Sequence, residues 1–229
     1  MIQNKYSNKV ALEKDLIATI VPILNLAIQQ KGTASILFSG GSTPKGLMNQ
    51  LAKTALDWEN IRVGLVDDRM VEASNEFSNL ALIKRELLDQ IEGDIKPRIC
   101  PLVFHPQNKE NNFNEAIQSF LALGSIDIAL LGMGSDGHFA SLFPNDAASL
   151  AGLDDNCKLP LVYTTAPSHP QERISFSWAY LKSAQHIFLH ITGQGKKELI
   201  ETDRTASEGL PIDRFLEDLT PSMAIYWAP

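Results

Sequence analysis

Apolar positions at Leu12, Leu16, Ile20, Leu24 and Ile28 recur every four residues, which predicts an amphipathic helix over Val10–Gln30. Pro22 lies inside that pattern and predicts a kink, or the start of a second helix, because proline lacks the N–H that the helical ladder uses. Beyond it, short apolar runs alternate with helical stretches. Ser35–Phe38, Ile61–Val66 and Ile126–Leu131 read as strands, interleaved with helices over Pro44–Thr54, Asn79–Gln90 and Asn111–Leu123. Later strands fall at Leu159–Thr164, Arg173–Phe176, His186–Ile191 and Met223–Trp227, and the stretch 145–158 reads as a mobile loop. Strands alternating with helices imply βαβ units, hence an α/β fold with a mainly parallel sheet. No repeat, low-complexity segment or long linker divides residues 1–229, so one domain is expected.

Composition narrows the class of protein. A hydrophobic fraction of 44% with 21% charged residues is ordinary for a globular chain. The formal charge of −7 argues against a nucleic-acid partner, which needs clustered cations, yet leaves room for a small phosphorylated ligand. Cys100 and Cys157 cannot build a disulfide framework, and a polar beginning without an apolar core does not suit a signal peptide. No run approaches the roughly 20 apolar residues of a membrane span. The expectation is a cytoplasmic protein with no membrane contact and no obligate protein partner.

The chemistry is concentrated at strand ends. Gly132-Met-Gly-Ser-Asp-Gly-His-Phe-Ala-Ser-Leu-Phe-Pro144 follows the run 126–131 and sets Asp136 and His138 in a glycine-rich turn. In open α/β sheets ligands bind at such carboxyl ends, and a histidine can accept a proton there at physiological pH. Phe38-Ser-Gly-Gly-Ser-Thr-Pro-Lys45 is a second strand–turn–helix junction, with Pro44 suited to the first helical position and Ser42 or Thr43 to the cap. Free N–H groups at such a junction seat a phosphate well. It lacks the ending of a Walker loop. Val66-Asp-Asp-Arg69 closes another strand, where Asp67, Asp68 and Arg69 suggest a structural ion pair for two of the three, or an arginine free to clamp a phosphate. Arg173 opens the strand Arg-Ile-Ser-Phe, and Thr192-Gly-Gln-Gly-Lys196 places a cation at a helix start, unfavourable for the helix dipole unless an anion joins it. Four such ends fit one anion site better than four accidents. The other histidines, His105, His169, His186 and His190, read as surface or packing residues, and the cysteines lack metal-ligand spacing.

Taken together, Ser39–Pro44, Val66–Arg69 with Ser74–Asn79, the 132–144 block, Arg173–Phe176 and Thr192–Lys196 resemble the 6-phosphogluconolactonases, a family similar to the glucosamine-6-phosphate isomerases. The match runs in order over nearly the whole chain. The resemblance implies a Rossmann-like, three-layer fold with helices flanking the central sheet, and hydrolysis of 6-phospho-D-glucono-1,5-lactone in the oxidative pentose phosphate pathway. It implies His138 as catalytic base with Asp136 beside it; no metal or cofactor is expected, because no His/Cys/carboxylate cluster has ligand spacing and the lactone is already reactive. The resemblance also implies that Gly41, Ser42, Thr43, Arg173 and Lys196 hold the 6-phosphate, with Arg69 in the substrate pocket; Gly40 and Asp67, in the same motifs, join them as expected substrate- or phosphate-binding residues. The family's usual Asp-Glu-Arg is Asp67-Asp68-Arg69 here, which shortens the reach of position 68.

Two rivals differ in class. The related aldose–ketose isomerases and deaminases usually continue the Asp-Gly-His turn into Asn-Glu-Pro; here Leu142-Phe-Pro144 puts Phe143 where their carboxylate would be. A sugar-phosphate sensor of the same fold would carry a DNA-binding module. The residues before the first predicted strand leave no room for one, and the charge is acidic.

Overall fold

The computed structural model describes residues 2, 4–202 and 209–229. Its elements run β1 (Asn4–Lys5), α1 (Lys9–Lys31), β2 (Ala34–Phe38), α2 (Lys45–Leu51), β3 (Ile61–Leu65), β4 (Asp67–Arg69), α3 (Asn79–Glu86), β5 (Arg98–Cys100) and α4 (Lys109–Leu123). They continue with β6 (Ile128–Leu131), α5 (Ala147–Leu153), β7 (Leu161–Thr165), β8 (Glu172–Phe176), α6 (Trp178–Leu181), β9 (His186–Thr192), α7 (Gln194–Glu201), α8 (Pro211–Glu217) and β10 (Met223–Ala228).

Strands β2 and β6 are buried along their whole length, as parallel strands covered on both faces must be. The central sheet has the order β1-β10-β9-β6-β2-β3-β5, every pairing parallel, and helices flank it. From β2 the chain moves outward to β3 and β5, then returns to β6 on the other side of β2 and moves out to β9 and β10. The connections leaving β2 and β6 therefore diverge, and a crevice opens between their carboxyl ends. At the opposite end of the same strands, Asp127 is fully buried, accepts from Lys31 Nζ at 2.7 Å and from the Ser35 N–H at 2.7 Å, and so ties β6 to β2.

Several expectations are corrected. Pro22 starts no second helix: α1 is one helix through it, with Leu12, Leu16, Ile20 and Leu24 on both sides fully buried while Pro22 itself faces outward. Helix α2 begins at Lys45 with Pro44 as its N-cap, and neither Ser42 nor Thr43 caps it by side chain. The stretch 145–158 contains α5, whose N-terminal N–H at Ser149 bonds to Asp146 at 2.8 Å. The strands β7 and β8, expected among the parallel set, form a separate antiparallel sheet of order β4-β8-β7. Val66 is the pivot between the sheets: its N–H bonds to Phe38 in the large one, and its carbonyl accepts from Phe176 in the small one, at 3.0 Å each.

Candidate active site

The crevice between β2 and β6 is closed across its floor by Ser39, whose Oγ accepts from the Gly132 N–H at 3.0 Å. Above it the 132–144 segment folds back on itself. The Gly134 N–H bonds to the His138 carbonyl at 2.8 Å, which brings His138 over residue 134. A Cβ at position 134 would fall 2.2 Å from the His138 ring, so only glycine leaves room for the imidazole there. Phe139 and Leu142 are fully buried, Phe139 edge-on to Trp178 at 5.1 Å between centroids. With those two side chains locked in the core, His138 is left on the cleft side of the turn.

His138 Nδ1 lies 2.5 Å from Asp136 Oδ1, and its ring packs against Phe143 at 4.6 Å. Partial burial pushes the Asp136 carboxyl up, but the hydrogen bond and charge of His138 outweigh that and hold it below the usual carboxylate range. An ionised Asp136 accepts the Nδ1–H hydrogen bond, which keeps the proton on Nδ1 and leaves Nε2 as the ring's acceptor.

The opposite wall comes from the small sheet. Arg69 and Arg173 stand in register across β4 and β8, a like-charge pair that is unfavourable unless something negative joins it. Arg173 is buried, and its Nε and Nη1 have no hydrogen-bond partner among the described residues. Burial first, and the Arg69 charge second, push its pKa down to about 10. Burial also lowers the Lys196 ammonium, in the first turn of α7. Among the described residues no carboxylate lies within ion-pair distance of Arg69, Arg173 or Lys196.

The cleft so formed has a volume of about 470 Å³. All ten residues singled out from the sequence line it: Asp136, His138, Gly40, Gly41, Ser42, Thr43, Asp67, Arg69, Arg173 and Lys196. The ion pair expected within 67–69 is absent among the described residues. Asp68 turns away from Arg69's guanidinium, and its carboxylate accepts from the N–H groups of Arg69, Asn79 and Leu80 at 2.7, 2.6 and 3.2 Å, anchoring the start of α3. Burial pushes its pKa up to about 6, against those bonds. A short carboxylate suits this role, because the backbone it serves is close. Arg69 instead donates to the Phe77 carbonyl at 2.6 Å.

Of the further residues that line the cleft, Asn79 and Ser141 escaped the sequence reading although both lie inside quoted motifs. Asn79 presses its amide against Gly40, where a Cβ would fall 1.9 Å from Asn79 Oδ1, and donates to the Asp67 carbonyl at 2.9 Å. Ser141 donates to Asp67 Oδ2 at 2.6 Å. Neither residue type signals chemistry alone; only the position of each, at a helix start and beyond the histidine turn, could have drawn notice. His190, expected at the surface or in packing, is packed: it is buried, with neither ring nitrogen bonded among the described residues.

Residues 7–222 match the family described as glucosamine-6-phosphate isomerases/6-phosphogluconolactonase. The chain is 34% identical to a 6-phosphogluconolactonase of Rhizobium meliloti over 98% of its length and 97% of the relative's. With a 6-phosphogluconolactonase of Pseudomonas putida the identity is 37% over 90% and 84%. Among solved structures, a 6-phosphogluconolactonase from Shewanella baltica superposes with a TM-score of 0.91 at 27% identity, covering 100% of this chain and 98% of that one.

Proposed function

We propose, for this chain, which belongs to the glucosamine-6-phosphate isomerase/6-phosphogluconolactonase family, that its reaction is hydrolysis of 6-phospho-D-glucono-1,5-lactone to 6-phosphogluconate in the oxidative pentose phosphate pathway. It is an enzyme of the 6-phosphogluconolactonase type. The observation that carries the mechanism is the pairing, in one cleft, of an Asp-oriented histidine with cations that have no carboxylate partner among the described residues, Arg173 with two buried nitrogens unbonded.

In this reading the 6-phosphate joins Arg173 and Lys196 and the backbone of Gly40–Thr43, with Asp67 and Arg69 against the sugar. Charge-assisted bonds to a phosphate are strong because both partners are ionised. The anchored sugar brings its C1 carbonyl beside His138. Nε2 takes a proton from water as the water oxygen adds to C1. The same proton passes to the ring oxygen as the C1–O bond breaks, giving the open-chain acid, which ionises. General-base help of this kind contributes roughly 10²–10⁴-fold. Backbone N–H groups of the glycine turn, or Arg69, stabilise the oxyanion. Asp136 holds the tautomer and balances the imidazolium that forms.

The deciding assay follows lactone consumption while glucose-6-phosphate dehydrogenase generates fresh substrate, with spontaneous hydrolysis as the background. Enzyme-dependent consumption well above that background is expected. Consumption at the background rate would overturn the reading. Unphosphorylated gluconolactone should be a poor substrate.

A further inference from the structure

Three residues beyond His138, Ser141 meets the small sheet with all of its polar atoms. Its hydroxyl donates to Asp67 Oδ2 of β4 at 2.6 Å, and its N–H donates to Ser175 Oγ of β8 at 3.2 Å. Its carbonyl accepts from Thr164 Oγ1 of β7 at 2.6 Å. All four residues are buried, so these bonds are made away from competing water. Ser141 is thus joined to each of the three strands.

Between Ser141 and His138 the backbone is strained. Ala140 has φ of +48°, the left-handed region that a residue with a Cβ enters only at a steric cost. Such a conformation persists when the surroundings over-determine it. The buried Phe139 fixes one side of Ala140, and the three bonds of Ser141 fix the other. The Ser141 bond also sets the Asp67 carboxylate, whose other side-chain contact, to Asn79 Nδ2, is long at 3.5 Å.

We propose that Ser141 is a positioning residue: it locks the His138 turn to the small antiparallel sheet, so that the base and the arginines of the cleft share one fixed geometry. The inference rests on the reading of His138 as the base. Its physical basis is that the two halves of the site come from different sheets, and a misplacement of about 1 Å between base and bound substrate can cost on the order of 10²-fold in rate. Had Ser141 only satisfied buried polar groups, its loss would lower stability without separating kcat from KM.

The test uses Ser141→Ala and Ser175→Ala in the full chain. Ser175→Ala removes the acceptor of the Ser141 N–H and, with it, the hydroxyl's own bond to the Phe176 carbonyl at 3.0 Å, but leaves the Ser141 side chain in place. The measurements are kcat and KM for the lactone, 6-phosphogluconate affinity by calorimetry, and titration of the Asp136 carboxyl carbon by NMR. Ser141→Ala should lower kcat by roughly 10–100-fold while KM and product affinity, weakened only through the loosened Asp67, change by less than about tenfold, since the phosphate contacts are untouched. The Asp136 carboxyl should titrate closer to the ordinary carboxylate range, because a loosened turn weakens the His138 bond that holds it down. Ser175→Ala should show the same split at smaller size. A folded Ser141→Ala protein with normal kcat and an unchanged Asp136 titration would overturn the proposal. If Ser141→Ala fails to fold, Ser175→Ala decides by the same measurements. If the wild type hydrolyses no lactone, the functional reading has failed, and the Asp136 titration alone decides whether Ser141 holds the turn.

Discussion

The two ends of the central sheet treat buried charge in opposite ways. At the amino ends of β2 and β6, Asp127 is fully buried and fully engaged: Lys31 pairs with one oxygen, and the Ser35 N–H and hydroxyl bond to the other at 2.7 and 3.3 Å. At the carboxyl ends Arg173 is almost as deeply buried, yet two of its nitrogens have no partner among the described residues and the side chain in register with it is Arg69. Lys196 and His190 lie on the same side, half-buried and buried, and the Lys196 charge disfavours protonation of His190. Buried ions are expensive unless compensated. Where the function of the charge is to join strands, the chain itself compensates it. Where it is left open, an anionic ligand would compensate it, as the proposed phosphate site requires.

The largest effect should come from the group that only the carboxyl end possesses. His138→Ala should lower kcat by about 10²–10⁴-fold while the protein stays folded and still binds 6-phosphogluconate. A folded variant with near-normal turnover in the coupled assay would remove the base from the mechanism.

Next come the open cations. Arg173→Ala and Lys196→Ala should each weaken substrate binding by about 1.5–3 kcal/mol, read as a raised KM with a smaller change in kcat. Urea unfolding of the same variants should show stability held or slightly increased, because each substitution removes a desolvated charge with no partner among the described residues. A marked loss of stability would mean these cations are structural after all.

Lys31→Ala is the mirror experiment. It leaves the Asp127 carboxylate buried without its counter-ion. Since Lys31 is itself one-third exposed, the expected loss is discounted to about 1–3 kcal/mol in urea unfolding, with kcat per folded molecule unchanged.

The smallest effect is on pH dependence. Burial first, then the charges of Lys9 and Lys196, push the His190 pKa down to about 3 from an ordinary 6.5. Between those values the unfolded chain binds a proton that the folded chain refuses, so stability is full above the unfolded value and falls as pH drops towards 3. One such group contributes a loss of about 1 kcal/mol between pH 7 and pH 5.5. His190→Gln should flatten that part of the stability curve; an unchanged slope would assign the acid sensitivity elsewhere.

Periodicity and turn chemistry made much of this legible. The parallel strands β2, β3, β6, β9 and β10 were all marked by apolar runs, because strands covered on both faces need them. The ten residues that line the cleft stood out as candidates because glycines, cations and an Asp–His pair gather at strand ends, where this class of sheet binds its ligands. The three-residue strands β4 and β5 were missed: β4 is Asp-Asp-Arg, a sequence with no strand character, made a strand only by pairing with β8. Asn79 and Ser141 were missed for a related reason, since serine and asparagine acquire a role only from what they touch.

What the sequence determined by itself is the local chemistry: which segments are apolar enough to be buried, where the chain must turn, and which side chains can carry a proton or a charge. Tertiary structure decided the partnerships. It divided the strands into two sheets with Val66 as pivot, turned Asp68 to the backbone of α3 rather than to Arg69, and set Arg173 opposite Arg69. Those outcomes depend on contacts between residues far apart in the chain, where packing and hydrogen-bond satisfaction override local preference. Position 173 illustrates the difference: the sequence supplies an arginine, and only the fold deprives it of a counter-ion.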